Sequence, residues 1–185
     1  MTLVWAALGV LAAFALLVVA SYNRFVSQRQ LAANSWSTVD TELKRRYDLV
    51  PNLVATVKGY AAHERETLEA VIRARSTAVE ATGTPGDQEA DEARLSDSVR
   101  RLLAVAEAYP DLRADAHFLA LQDELTATEN RIQAARRFYN ANVRDFNRRV
   151  ESVPSNLVAR AFGFRRLDYF ELEPAVRVAP VPAVA

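Results

Sequence analysis

Chemistry needs groups that move protons, hold metals or attack electrophiles, and this chain has few of them. Its 185 residues include two histidines and no cysteine, which excludes disulfides and any cysteine-ligated metal site. The first histidine stands in a His63-Glu64 pair. A zinc protease motif would extend that pair to His-Glu-x-x-His, setting two imidazoles one turn apart on one helix face. Position 67 is Thr67, so the motif fails. The second histidine, His117, lies far along the chain, and neither histidine has a Glu three residues before it, as a di-iron helical bundle requires. The five glycines are scattered, so there is no phosphate-cradling loop, and no serine nucleophile elbow is present.

The carboxylates read the same way. At 100° per residue His63 points off the apolar stripe of its helix, as a solvated flank residue does, while Glu64 and Arg75 fall inside the stripe. Glu129 and Arg136 are comparable. A charge in such a position must be paired or reach out of the core. We read these residues as polar links between helices that fix register, since acid–base work would also require a cleft. The expectation is a protein that is not an enzyme, with no catalytic, metal or cofactor residue. The alternatives are a regulator of a membrane enzyme, or a metal-dependent enzyme using His63 and Glu64.

The elements that position these residues are helices. Ala, Leu, Val, Arg and Glu dominate and Gly is scarce, which predicts an all-α fold. Leu3 to Ala20 is an unbroken apolar run of 18 residues. As a helix it spans roughly 27 Å, close to the thickness of a bilayer's hydrocarbon core. Trp5 and Tyr22 stand near its ends, where amphipathic rings favour the interface. The rival reading is a cleaved signal peptide, because Val18-Val19-Ala20 resembles a small-residue cleavage site. A basic n-region is missing, however, and the run is long for such a segment. Arg24 and Arg29 follow the span and no basic residue precedes it, which favours the N-terminus outside and the domain in the cytoplasm.

Phe25, Ala32, Trp36, Val39 and Leu43 continue one helical face out of the span to about Tyr47. Pro51 lacks an N–H and would clash mid-helix, so the spacing predicts a new helix starting there with Asp48 as its N-cap; a single helix kinked at Pro51 is the alternative. That second helix carries Val50, Leu53, Val57, Leu68 and Val71, and ends at Thr82-Gly83-Thr84-Pro85-Gly86. Asp87 is expected to cap the third, whose stripe holds Leu95, Val99 and Leu102. The fourth runs from about Asp111 to Val150. Four long helices with short breaks predict an antiparallel up-and-down four-helix bundle over residues 23–172, behind an anchor at 1–22 and ahead of a disordered tail at 173–185.

Zero net charge hides an uneven distribution: residues 80–129 hold four basic and twelve acidic side chains, and residues 130–166 nine and two. Tyr22-Asn23-Arg24-Phe25-Val26, Tyr139-Asn140-Ala141-Asn142-Val143 and Phe146-Asn147-Arg148-Arg149-Val150 share the form aromatic-Asn-x-x-Val, which suggests that the start of the first helix pairs with the end of the fourth. Such a pairing would carry Arg136, Arg137, Arg144, Arg148 and Arg149 toward the bilayer, where anionic lipids attract each by about 1 kcal/mol. Nucleic acid is not expected as a partner. Beyond Pro154, Leu157, Val158, Ala161 and Phe162 form a short amphipathic piece, read as a cap over the bundle or as an interfacial element.

Taken together, YNRFV after the span, WSTVDTELKRRYDLVPNLVATVKGYAAHE, EAYPDLRADAHFLALQDELTATENRIQAARRFYNANVRDFN and GFRRLDYF resemble the LemA family of bacterial membrane proteins. The resemblance implies a short N-terminus outside, one span of the cell membrane and a cytoplasmic four-helix bundle; it brings no established enzymatic activity and no catalytic or cofactor residues to carry over. One relative is implicated in building an intracellular membrane organelle, which suggests a membrane-organising role. The Ala/Val/Pro tail and Phe146, where Tyr is expected, depart from the pattern. The resulting expectation is a self-associating scaffold whose partners are the lipid bilayer, further copies of itself and unidentified proteins.

Overall fold

The computed structural model describes residues 1–171, and the expected disordered tail at 173–185 lies outside them. Among the described residues every regular element is helical: α1 (Thr2–Tyr60), α2 (Arg65–Glu80), α3 (Pro85–Ala106), α4 (Pro110–Arg113), α5 (Ala116–Glu151) and α6 (Ser155–Phe162). They form two compact units, one of Met1–Arg45 with Ala127–Phe170 and the other of Arg46–Thr126 with Glu171. Helices α1 and α5 contribute to both.

In the first unit α1 and α5 run antiparallel. Gln28 accepts from Arg149, Ser35 from Asn142 and Glu42 from Arg131, at 2.8, 3.0 and 2.9 Å, so positions rising along α1 meet positions falling along α5. The expected pairing of repeat segments is present here: the Phe25 and Phe146 rings meet edge to face, 5.9 Å between centroids. Phe25, Phe146, Ala159 and Phe164 make one buried cluster.

The second unit is built on Val50, Leu53 and Val57 of α1, Leu68 and Val71 of α2, and Leu95, Val99 and Leu102 of α3, all buried. The capping expectation for α3 needs correction. Thr84 is the N-cap and accepts from the Asp87 N–H, while the Asp87 carboxylate accepts from the Thr84 N–H at 2.8 Å. This reciprocal pair, with Pro85 in the first turn, satisfies donors that the helix itself leaves without partners. The turn also needs Gly83: its φ is +127°, and a Cβ there would stand 2.7 Å from Asp87 Oδ2.

A second correction concerns Asp48 and Pro51. No helix starts there; α1 passes through Pro51, and Asp48 is an exposed mid-helix residue rather than a cap. The missing N–H of Pro51 would have served the carbonyl of Tyr47, four residues back. That carbonyl accepts instead from Arg75 Nε at 2.7 Å. The Arg75 side chain, placed by sequence on an apolar stripe, thus replaces the donor that proline removes.

The break falls at residues 61–64 instead, where Glu64 N–H bonds to Ala61 O at 3.1 Å and α2 begins. Side-chain bonds hold both flanks of this turn: Tyr60 OH donates to Asp115 at 3.0 Å, and Tyr109 OH to Glu64 at 3.1 Å. The helix expected from Asp111 also divides, into α4 and an α5 whose first turn is capped by Asp115 accepting from Phe118 N–H at 2.8 Å.

Candidate functional site

Two polar constructions and one exposed surface stand out from the helical packing. The first is in the second unit. Arg46 and Glu92, on α1 and α3, form an ion pair with no side-chain exposure, and Tyr47 OH donates to the same carboxylate. Ser96 Oγ accepts from Arg46 at 2.6 Å. Taking two charges out of water is costly, and their mutual attraction offsets this only when further hydrogen bonds complete the set. Tyr47 and Ser96 supply such bonds. The sequence reading missed this group, although the wheel that flagged Glu64 and Arg75 would have flagged it. Arg46 is seven residues from both Val39 and Leu53, and Glu92 lies three before Leu95.

The second construction binds an extended segment, residues 164–170, to α5 in the first unit. Asn147 accepts from the Leu167 N–H at 2.8 Å and donates to the Leu167 carbonyl at 2.9 Å. Asn140 does the same to Phe170, at 3.0 and 2.9 Å. Each amide thus offers one residue the donor and acceptor that a neighbouring β-strand would offer. Tyr139 OH donates to the Asp168 carbonyl at 2.7 Å, and its burial, with Asp168 nearby, pushes its pKa up to about 12. The aromatic-Asn repeat at 139–140 and 146–147 is therefore a clamp of heptad spacing. In the third copy, Asn23 is exposed and makes no such clamp. Phe164 stacks on Phe25 at 4.7 Å and Phe170 meets Trp36 at 5.2 Å, so the strap is held by rings as well as amides. Gly163, at φ +73°, turns the chain from α6 into it.

Of the other expected link residues, Glu64 bonds Tyr109, lifting the Tyr109 pKa together with burial, the larger cause. Glu129 is half-buried on α5, and His63 is exposed. Among the described residues no group of three or more His, Asp or Glu side chains is placed to share a metal ion. An open groove of about 670 Å³ runs along α2 and α3, lined by Glu66, Arg73, Arg94, Asp97 and Arg101 among others. Exposed ion pairs such as Arg101–Asp97, at 2.5 Å, occupy charges along it, and the buried Ser98 hydroxyl in its lining donates to the Leu95 carbonyl at 2.8 Å.

The exposed surface is the first third of α1. Its 18-residue apolar window is long enough to cross a membrane, and none of it is buried among the described residues. Of the basic residues singled out by sequence, Arg24, Arg29, Arg148 and Arg149 lie on the stretches just past this window, whereas Arg136 and Arg137 fall between the α5 positions that meet Ser35 and Glu42, further along α1. Arg149 bonds Gln28 and stands over the Phe25 ring at 5.9 Å. Its pKa is lowered by burial first and then by the neighbouring charges of Arg24 and Arg148, so these three cations are gathered in one place. Arg29 stands over the Phe164 ring at 5.6 Å. Arg148 pairs with Asp145 at 3.1 Å, and Arg144 is exposed. An apolar helix with cations at its exit suits a bilayer and its phosphate headgroups.

Comparison with known proteins agrees with this arrangement. The pattern of the LemA family matches residues 35–184. Magnetosome protein MamQ of Magnetospirillum gryphiswaldense is 27% identical over 190 residues, covering 89% of this chain and 70% of its own. Magnetosome protein MamQ 2 of Paramagnetospirillum magneticum is 28% identical over 188 residues, covering 88% and 69%. Protein LemA of Metamycoplasma hominis is 26% identical over 159 residues, covering 84% and 71%. None of these names is that of an enzyme.

Proposed function

The chain belongs to the LemA family, and from that premise we propose that it is a non-enzymatic scaffold, fixed by one span in a bacterial cell membrane with its N-terminus outside. Its helices, in the up-and-down four-helix order that the sequence suggests, stand at the cytoplasmic face and self-associate to organise lipid or protein partners. The observation that carries this reading is the uncovered apolar window of α1. Exposing such a surface to water costs about 25 cal/mol per Å², which insertion into lipid removes. Arg24, Arg29, Arg144, Arg148 and Arg149 support the orientation, as basic residues are retained on the cytoplasmic side. The magnetosome relatives support a role at a membrane.

Cross-linking in native membranes, with identification of what is caught, tests the scaffold. Ladders of this chain, or a reproducible protein partner, are expected. A strict monomer with nothing retained counts against it. Protease added to sealed spheroplasts tests the orientation: the helical region should survive until the membrane is opened. Stoichiometric zinc or iron in the purified protein would favour the metal-dependent reading of His63 and Glu64 instead.

A further inference from the structure

Helix α6 has two apolar sides, and the fold uses one of them. Ala159 is buried in the cluster with Phe25, Phe146 and Phe164, and Val158 packs against it. The opposite side is open, with Leu157 63% exposed; Phe162, one turn after Val158 at the edge of the inner side, is 52% exposed, and Val153, just before the helix, 79%. Leu157 and Ala161 lie one turn apart on this open face. The Phe162 ring also meets that of Tyr22, 4.9 Å between centroids, and Tyr22 lies two residues beyond the apolar span. Arg160 and Arg165 are exposed on the same short stretch.

We infer that the open face of α6 lies in the headgroup region of the bilayer that α1 crosses, with Leu157 and Phe162 in the acyl boundary and Arg160 and Arg165 on lipid phosphates. The inference rests on the anchor reading above. Three observations select lipid over a second copy or another protein. The patch is continuous, through Tyr22, with the lipid-facing surface of α1. Its Leu157 and Phe162 are exposed, and its flanking charges, Arg160 and Arg165, have the sign that anionic headgroups attract. Aromatic rings at the end of a span favour this depth. The inner side of α6 then caps the unit while the outer side fixes its tilt against the membrane.

The absence of native cysteine makes the test direct. Full-length Leu11→Cys, Leu157→Cys, Phe162→Cys and exposed Thr38→Cys variants, each carrying an environment-sensitive fluorophore, are reconstituted into phosphatidylcholine vesicles with and without phosphatidylglycerol. Nitroxides on the lipid acyl chains should quench positions 157 and 162 roughly twofold or more above position 38, and more strongly with phosphatidylglycerol present. Adding Arg160→Glu and Arg165→Glu should weaken that quenching. If position 11 is quenched while 157 stays as open to aqueous iodide as 38, the anchor stands and the inference falls. If 157 is shielded from iodide, unquenched by lipid and self-quenched between labels, a second copy covers the face and the inference falls. If position 11 itself escapes lipid quenching, the anchor reading falls, and this inference with it.

Discussion

In the unit of Met1–Arg45 and Ala127–Phe170, the ion pair between α1 and α5, Arg131–Glu42, stays partly exposed, and the buried links are neutral: stacked rings, and two amides that each satisfy both backbone groups of one strap residue. In the unit of Arg46–Thr126 a buried guanidinium and carboxylate do the joining, completed by Tyr47 and Ser96. The ion pair fixes α1 against α3, which apolar stripes alone would allow to slide, and the amides fix the strap along α5. They differ in the cost of losing one partner. A neutral group left without its partner costs the desolvation of a dipole, whereas a buried charge left without its counter-ion costs several times more. The second unit should therefore be the brittle one, even though replacing its whole ion pair by apolar groups could cost little.

The largest effect should come from Glu92→Gln, which leaves the Arg46 guanidinium buried without its carboxylate. Thermal unfolding in detergent should show a loss of about 3–5 kcal/mol, and the double replacement Arg46→Met with Glu92→Leu should recover most of it. If Glu92→Gln costs no more than an amide of the strap, the contrast between the units collapses. Asn147→Ala removes both bonds to Leu167 and should cost about 1–3 kcal/mol, with faster hydrogen exchange confined to the strap.

Arg75→Met should cost about 1–2 kcal/mol by leaving the Tyr47 carbonyl without its donor. Pro51→Ala restores the backbone N–H, so it should stabilise the Arg75→Met protein more than the native one. Equal effects in the two backgrounds would mean that Arg75 does not substitute for the missing proton.

The strap also carries a pH signature. The Tyr139 pKa rises from 10.0 to about 12 in the fold, so the folded state keeps a proton that the unfolded chain loses in this interval. The contribution of Tyr139 to stability should be full below pH 10 and decline as pH rises toward 12. Tyr139→Phe should lose about 1 kcal/mol at neutral pH but flatten this alkaline decline. The smallest effect is expected for Lys44→Ala: the Lys44–Asp40 pair, 2.7 Å long on the exposed side of α1, should contribute under about 0.5 kcal/mol.

Helix content and the apolar window were legible because they depend on runs and periods within a few turns of chain. Phe25, Ala32, Val39 and Leu43 share one face by spacing and are buried as one face. Glu64 and Arg75 stand out as charges in need of partners, since wheel position alone reveals that. The partners themselves were not legible. Tyr109 lies on another segment, and the Tyr47 carbonyl belongs to a backbone position that no side-chain pattern marks. The break at residues 61–64 carries no proline and no residue of positive φ, so the local signal points to Asp48 and Pro51 instead. Asn147 was visible in a repeat but its role was not, because the strap it binds has no periodicity of its own.

By itself the sequence determined the family, the helical class and the presence of a surface that water does not favour, because composition and local spacing set propensity and amphipathicity without reference to distant residues. Only the tertiary structure decided that α1 runs through its proline, that Arg46 and Glu92 meet, and that two asparagines hold a strap. Each of those outcomes turns on a hydrogen-bonding group whose partner lies far away in the chain. A proline inside a helix leaves one carbonyl without its donor, and here the fold brings Arg75 to that carbonyl.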